Sequence, residues 1–207
     1  MFLNRVDAGK KLARELKKLK LSNVIVLGVP RGGVVPAAEV ARELKAPLTV
    51  VVARKVGAPG QPEFAAGAVS ENGIVVLNEF AGNFGDYIAR VVREKQKEVA
   101  ERVKLFRGGK PLPSLRNKTV VIVDDGIATG ASTRAAVLAV KKLEPKRLVL
   151  AVPVAPPESV SALQGDCEVV CLVQDPGFAA VGQYYSDFRE VTDGEVVGLL
   201  ARLVRHR

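Results

Sequence analysis

Apolar and polar positions recur along the chain in two different periods, and the change from one to the other marks out the elements. From Asn4 to Lys20, Ala8, Leu12, Leu16 and Leu19 return at helical spacing beneath a lysine-rich outer face, which predicts an amphipathic helix. NVIVLGVP, Asn23 to Pro30, is too short for a helix and too continuously apolar for a half-exposed strand, so it predicts a buried parallel strand. Gly32 and Gly33 open a predicted helix that reaches Leu44, and LTVVVA, Leu48 to Ala53, repeats the strand signal. The Gly/Pro-rich RKVGAPGQPEF then predicts a loop, and IVVLN, Ile74 to Asn78, a short strand. From Gly85 to Phe106, Ile88, Val91, Val92, Val99, Val103 and Phe106 form one stripe of a long charged helix, which RGGKPLPSLRNK ends. TVVIVDD, a helix over Ser132 to Leu143, RLVLAVPV, a short helix over Pro157 to Leu163 and CEVVCLV complete the alternation.

Strand, loop and helix in this order predict an α/β fold, a parallel sheet with helices on both faces. Its ligand crevice lies at the carboxyl ends of the strands, so the loops after Val29, Ala53, Val123 and Pro153 are the places for chemistry. A chain of 207 residues matches a single domain, 1–207.

Composition removes several chemistries. The one histidine, His206, stands between Arg205 and Arg207, so neither a Ser/His/Asp triad nor a multi-histidine metal site can be assembled. Cys167 and Cys171 sit on one predicted strand about 13 Å apart, too far for a disulfide. With no signal-peptide pattern and no apolar run of about 18 residues, they read as reduced thiols of a cytoplasmic protein that does not meet a membrane. Lys+Arg 31 against Asp+Glu 22 leaves a net charge of +9. That excess suits polyanionic ligands, but no compact Arg/Lys tract with interleaved aromatics is present, which disfavours nucleic acid as a partner.

The most informative stretch is VVIVDDGIATGAST, Val120 to Thr133. A buried strand delivers Asp124 and Asp125 to its end, and a turn with Gly126 and Gly130 leads into a helix. Backbone N–H groups and the hydroxyls of Thr129, Ser132 and Thr133 converge there, where the helix dipole favours a phosphate. Two carboxylates repel a phosphate at close range and suit sugar hydroxyls or a hydrated Mg²⁺. A ligand with vicinal hydroxyls beside a terminal phosphate satisfies both halves. A bare Asp-Asp-Gly also reads as a helix cap; the complete string favours the cradle. The Walker A lysine and the G-x-G-x-x-G fingerprint are both absent.

The segment resembles the phosphoribosyl pyrophosphate (PRPP) signature of the type I phosphoribosyltransferases, in their uncharacterised branch, and the resemblance covers most of the chain. It implies a Rossmann-like three-layer fold with a mobile lid (54–67), an extra helical cap (81–110) and a small C-terminal hood (174–207). By that likeness Asp124 and Asp125 bind the ribose hydroxyls. Gly126 belongs to the PRPP loop, and Ala128, Thr129, Gly130, Ala131, Ser132 and Thr133 surround the 5-phosphate. GVPRGG, Gly28 to Gly33, resembles the pyrophosphate loop, which assigns Pro30, Arg31, Gly32 and Gly33 to pyrophosphate and makes Pro30–Arg31 the candidate for a non-proline cis peptide. Arg54 and Lys55 resemble lid cations that balance the leaving group, with Glu63 as a surface glutamate or a proton acceptor.

FAAVGQYYSDFREV, Phe178 to Val191, resembles the hood of purine-type members, with Phe178, Val181 and Tyr184 on the acceptor base and Arg189 on pyrophosphate. Its Gly182-to-Arg189 spacing is shorter than in the hypoxanthine enzymes, and no lysine precedes it to read a purine 6-oxo group. The implied activity is Mg²⁺-dependent transfer of phosphoribose from PRPP to a nucleobase or other small nitrogen acceptor. Arg31, Arg54, Lys55 and Arg189 carry the catalysis, Mg²⁺ arrives on PRPP with Asp124 and Asp125 reaching it through water, and the protein is a homodimer. The rival readings are a PRPP-sensing regulator that binds RNA or DNA, and a phosphoribose-binding hydrolase or phosphorylase.

Overall fold

The structure is a computed structural model that describes residues 1–71, 73–77 and 79–204. His206 and Asn78 lie outside the described residues. Five parallel strands form the main sheet in the order β2-β1-β6-β7-β8: β1 (Val24–Gly28), β2 (Leu48–Val50), β6 (Thr119–Val123), β7 (Arg147–Ala155) and β8 (Glu168–Gln174). β3 (Ala53–Ala58), β4 (Gln61–Ser70) and β5 (Val75–Leu77) form a second, antiparallel sheet.

Successive side chains of the main strands point to opposite faces, and both faces are buried. Val26, Val121, Val123, Val149 and Ala151 belong to one core. It also takes Leu12 and Leu16 of α1 (Arg5–Lys18), residues of α2 (Val34–Leu44) and α3 (Gly85–Arg107), and Val196 and Leu200 of α6 (Asp193–Val204). Ile25, Leu27, Val120, Ile122, Leu150 and Val152 face the other core, against α4 (Ala131–Lys141) and α5 (Pro157–Gln164). This is the expected three-layer α/β/α arrangement, and the continuous apolar runs are strands for the expected reason: each is covered twice.

Two expectations need correction. LTVVVA is not one strand; β2 ends at Val50, and after buried Val51 and Val52 the chain enters the second sheet. The segment expected as the lid loop is not a loop but a β-hairpin, β3 paired to β4, with Gly60 at φ +70° in its turn. α3 packs its expected stripe, burying Ile88, Val91, Val99 and Phe106, against this sheet and α6. β2 is the edge strand of the main sheet, and beside its end the chain crosses to the second sheet. A buried ion pair sits at this crossing: the Glu71 carboxylate accepts from Val52 N–H at 3.3 Å, while Arg107 donates to Val50 O at 3.3 Å and pairs with Glu71.

No helix among the described residues is long and apolar enough to cross a membrane. Cys167 and Cys171 are free and half-buried, and burial pushes both thiols up to about 11.

Candidate functional site

The register of β1 with β6 sets Gly28 opposite Val123, so the chain leaves both strands at the same level of the sheet. Val29 N–H donates to Val123 O at 2.9 Å, which holds the start of the Pro30–Gly33 loop beside Asp124. A Cβ on Gly33 would lie 2.7 Å from Val29 O and 2.8 Å from the Asp124 Cα, and one on Gly32 would collide with the Asp125 carboxylate. Only glycine admits this approach of loop to acid pair. The Pro30–Arg31 peptide is cis, as the family likeness implies.

Asp124 and Asp125, adjacent in sequence, have different surroundings. Asp124 Oδ2 accepts from the Thr133 hydroxyl at 2.8 Å and Oδ1 from the Asp125 N–H at 2.9 Å. Burial, and then the neighbouring Asp125 charge, push the Asp124 pKa well above its ordinary value. Asp125 Oδ2 lies 2.6 Å from Arg5 Nε, with the two side chains only 15% and 11% exposed. The Asp125 carbonyl accepts from the Tyr185 hydroxyl at 2.6 Å.

After the pair, Gly126 turns at φ +156° with Val181 only 2.5 Å from where its Cβ would be, which seats the hood on the loop. Ile127 N–H bonds Val154 O at 2.9 Å, and Ser159 Oγ donates to Ala128 O at 2.8 Å, so both sides of the loop are fixed. α4 then begins at Ala131 after Gly130 in the left-handed region at φ +72°, with no side-chain cap and no acidic residue in its first turn. Ala128, Thr129 and Ser132 are exposed, while Thr133 is turned inward to Asp124. An uncapped helix start with exposed hydroxyls beside it leaves N–H donors open to an anion, and the acid pair stands directly behind it.

The candidate cations are distributed around this centre. Arg31 pairs with Glu190 at the rim. Arg54 lies on β3, with its Nε 3.4 Å from Glu98 and Nη1 donating to Ala53 O at 3.1 Å. Burial lowers its pKa, with repulsion from Arg102 and Arg31 contributing in the same direction, so these guanidiniums share one electrostatic neighbourhood. Lys55 follows it on β3. Arg189 is placed differently: its guanidinium is bound by Asp187 at 2.8 to 3.1 Å and is 88% exposed, and only its backbone carbonyl, which accepts from Arg5 Nη1 at 2.7 Å, reaches the centre. Phe178 and Tyr184 stack at 5.6 Å with 15° between planes, and the Tyr184 hydroxyl donates to Asp175 at 2.7 Å. That bond raises the Tyr184 pKa to about 12 and lowers that of Asp175. Arg5, Tyr185 and Phe188 are the residues that sequence reasoning missed.

A family model for the phosphoribosyl transferase domain matches residues 3–189. Two Mycobacterium tuberculosis proteins provisionally named phosphoribosyl transferases, Rv0571c and MT0597, are 45% identical over 210 residues, covering 99% of this chain and 47% of each relative. The chain thus spans about half the length of the curated relatives it matches. Among solved structures, TT1426 from Thermus thermophilus is 48% identical with a TM-score of 0.90, and 98% of each chain is covered. The AQ2163 protein from Aquifex aeolicus, 15% identical with a TM-score of 0.51 over 83% of this chain and 73% of its own, shares the fold.

Proposed function

The chain belongs to the phosphoribosyl transferase family, and from that premise we propose that it transfers the phosphoribosyl group of PRPP to a nitrogen acceptor, a nucleobase or small amine, with release of pyrophosphate. One observation carries the reading: the Asp124–Asp125 pair stands between an uncapped helix start and a glycine loop that no side chain could enter. The 5-phosphate would take the N–H groups and hydroxyls of Ala128 to Thr133. The ribose hydroxyls would donate to the acid pair. The diphosphate would lie along Pro30 to Gly33, with Arg31 exchanging Glu190 for it.

Breaking the bond at ribose C1 develops positive charge on the sugar and negative charge on the departing diphosphate. No covalent nucleophile is needed, and catalysis consists of holding the sugar and countering the leaving group. Arg31, Arg54 and Lys55 are the side chains suited to the second task. Phe178, Val181 and Tyr184 offer a stacking wall for a flat acceptor. The centre offers two hard carboxylate donors, while no group of three or more His, Cys, Asp or Glu gathers as a metal cage among the described residues. This donor set fits a Mg²⁺ carried mainly by PRPP and reached from Asp124 and Asp125 through water. Bound there, the ion would neutralise charge on the diphosphate. A homodimer acting in the cytoplasm belongs to the same reading.

The test is pyrophosphate release from PRPP in the presence of Mg²⁺ and a panel of free bases and small amines. Release dependent on one of them supports the proposal. Inorganic phosphate as the product would point to a hydrolase or phosphorylase, and PRPP binding without turnover, with salt-dependent RNA retention, to a regulator.

A further inference from the structure

We propose that Arg5, on the first turn of α1, is the positioning residue for the ribose-binding carboxylate of Asp125, locking it with a guanidinium that the hood in turn immobilises. The proposal rests on the PRPP reading above and goes beyond it, because Arg5 lies outside the signature.

The Asp125 N–H donates to Asp124 Oδ1, and the charged partner of its own carboxylate comes from another element. Arg5 Nε supplies the ion pair at 2.6 Å. The same oxygen faces Gly32 so closely that a methyl group there would collide with it, and that methyl would also lie 3.1 Å from Arg5 Nε. Oδ2 therefore meets both α1 and the pyrophosphate loop, at the point where the two come together.

Arg5 is itself fixed. Its guanidinium lies 3.8 Å from the centroid of the Phe188 ring, and Nη1 donates to Arg189 O at 2.7 Å. A planar group with one face on an aromatic ring and two donors spoken for has no rotational freedom left. The N-terminal segment holds the hood in place as well: Phe2 N–H donates to Tyr184 O at 2.7 Å, and Ser186 N–H to Phe2 O at 2.9 Å. Phe2 also packs on Tyr185, whose hydroxyl bonds the Asp125 carbonyl. The start of the chain and the hood thus grip Asp125 from both its side chain and its backbone.

If Arg5 acts through Asp125 on the sugar, its loss should weaken ligands that carry the ribose hydroxyls and spare those that fill only the cradle. Arg5→Met keeps the length and apolar stem without the charge. Titration calorimetry with PRPP and Mg²⁺ should show about a tenfold loss of affinity, which corresponds to about 1.4 kcal/mol. Inorganic phosphate, followed by phosphorus NMR as the probe of the cradle alone, should bind within about twofold of wild type. Arg5→Lys guards against a folding defect: its ammonium keeps the charge but meets one acceptor at a time, so PRPP should weaken about threefold with an unchanged melting temperature. Wild-type PRPP affinity in both variants would overturn the proposal, as would an equal loss for PRPP and phosphate, which marks mere structural support. A wild-type protein that binds phosphate but not PRPP would instead overturn the functional reading.

Discussion

The two flanks of the crevice are built on different principles. On one flank, the PRPP loop grows out of the middle of a five-stranded parallel sheet, and Asp124, Asp125 and Thr133 each have a short, specific partner. On the other, Arg54 and Lys55 ride on a three-stranded antiparallel sheet whose junction with the main one is closed by Glu71 and Arg107. The first flank is organised before any ligand arrives. The second presents charge on a hairpin that meets the rest through α3 and α4. Binding of the sugar and phosphate should therefore depend on the first, and the rate of the chemical step on the second.

The largest effect that would test this division is on the first flank. Asp124→Asn with Asp125→Asn should lower PRPP affinity at least about a thousandfold, to below calorimetric detection. Asp125→Asn alone also leaves Arg5 without its anion, so the melting curve should record a loss of about 3 kcal/mol. PRPP binding retained in the double variant would remove the basis for the comparison. Next in size is a change at the junction. Glu71→Gln keeps an acceptor for Val52 N–H but removes the charge facing buried Arg107, so urea unfolding should show a loss of about 3 kcal/mol. PRPP affinity of the folded protein should stay within about twofold of wild type, because the pair supports the second flank alone.

The same contrast explains what the sequence made readable. VVIV before Asp124 and VIVL before Gly28 are strands covered on both faces, so their apolar runs announce them, and the glycines and hydroxyls of the cradle lie within one short string. The hairpin gives no such signal. β4 is QPEFAAGAVS, rich in small residues and carrying a proline, and its pairing with β3 shifts register at Val56–Gly57–Ala58, so alternation does not mark the strands, although Pro59-Gly60 marks the turn between them. α6, Asp193–Val204, falls within the segment expected as the hood. Arg5 was invisible for another reason: one cation in a lysine-rich amphipathic helix is ordinary until the fold brings it to an acid 120 residues away. Arg189, which the likeness assigns to pyrophosphate, has its guanidinium on Asp187, two residues before it, a contact the motif does not reveal.

A third, smaller effect belongs to the hairpin. Arg54→Ala should lower kcat about tenfold while PRPP affinity measured by calorimetry stays within about twofold, since its charge matters most as the diphosphate departs. Shortening the turn at Gly57 to Gln61 should act in the same direction. Weakened PRPP binding with unchanged kcat in Arg54→Ala would place this cation on the binding flank and remove the distinction drawn above.

The smallest expected effect is a slope, and it follows from the unequal surroundings of the acid pair. Burial and the Asp125 charge raise the Asp124 pKa in the folded protein, whereas in the unfolded chain it has its ordinary value near 3.8. Between those two values the folded state holds a proton that the unfolded state has released. Stability must then fall as pH rises through that window, the reverse of the usual behaviour of a salt-bridged carboxylate. Asp124→Asn cannot ionise and mimics the protonated acid in shape, so its contribution is constant. Urea unfolding of wild type and Asp124→Asn across the acid range should therefore show the variant gaining on wild type as pH increases. Parallel curves would mean that Asp124 ionises as readily folded as unfolded, and that its burial costs the charged form nothing.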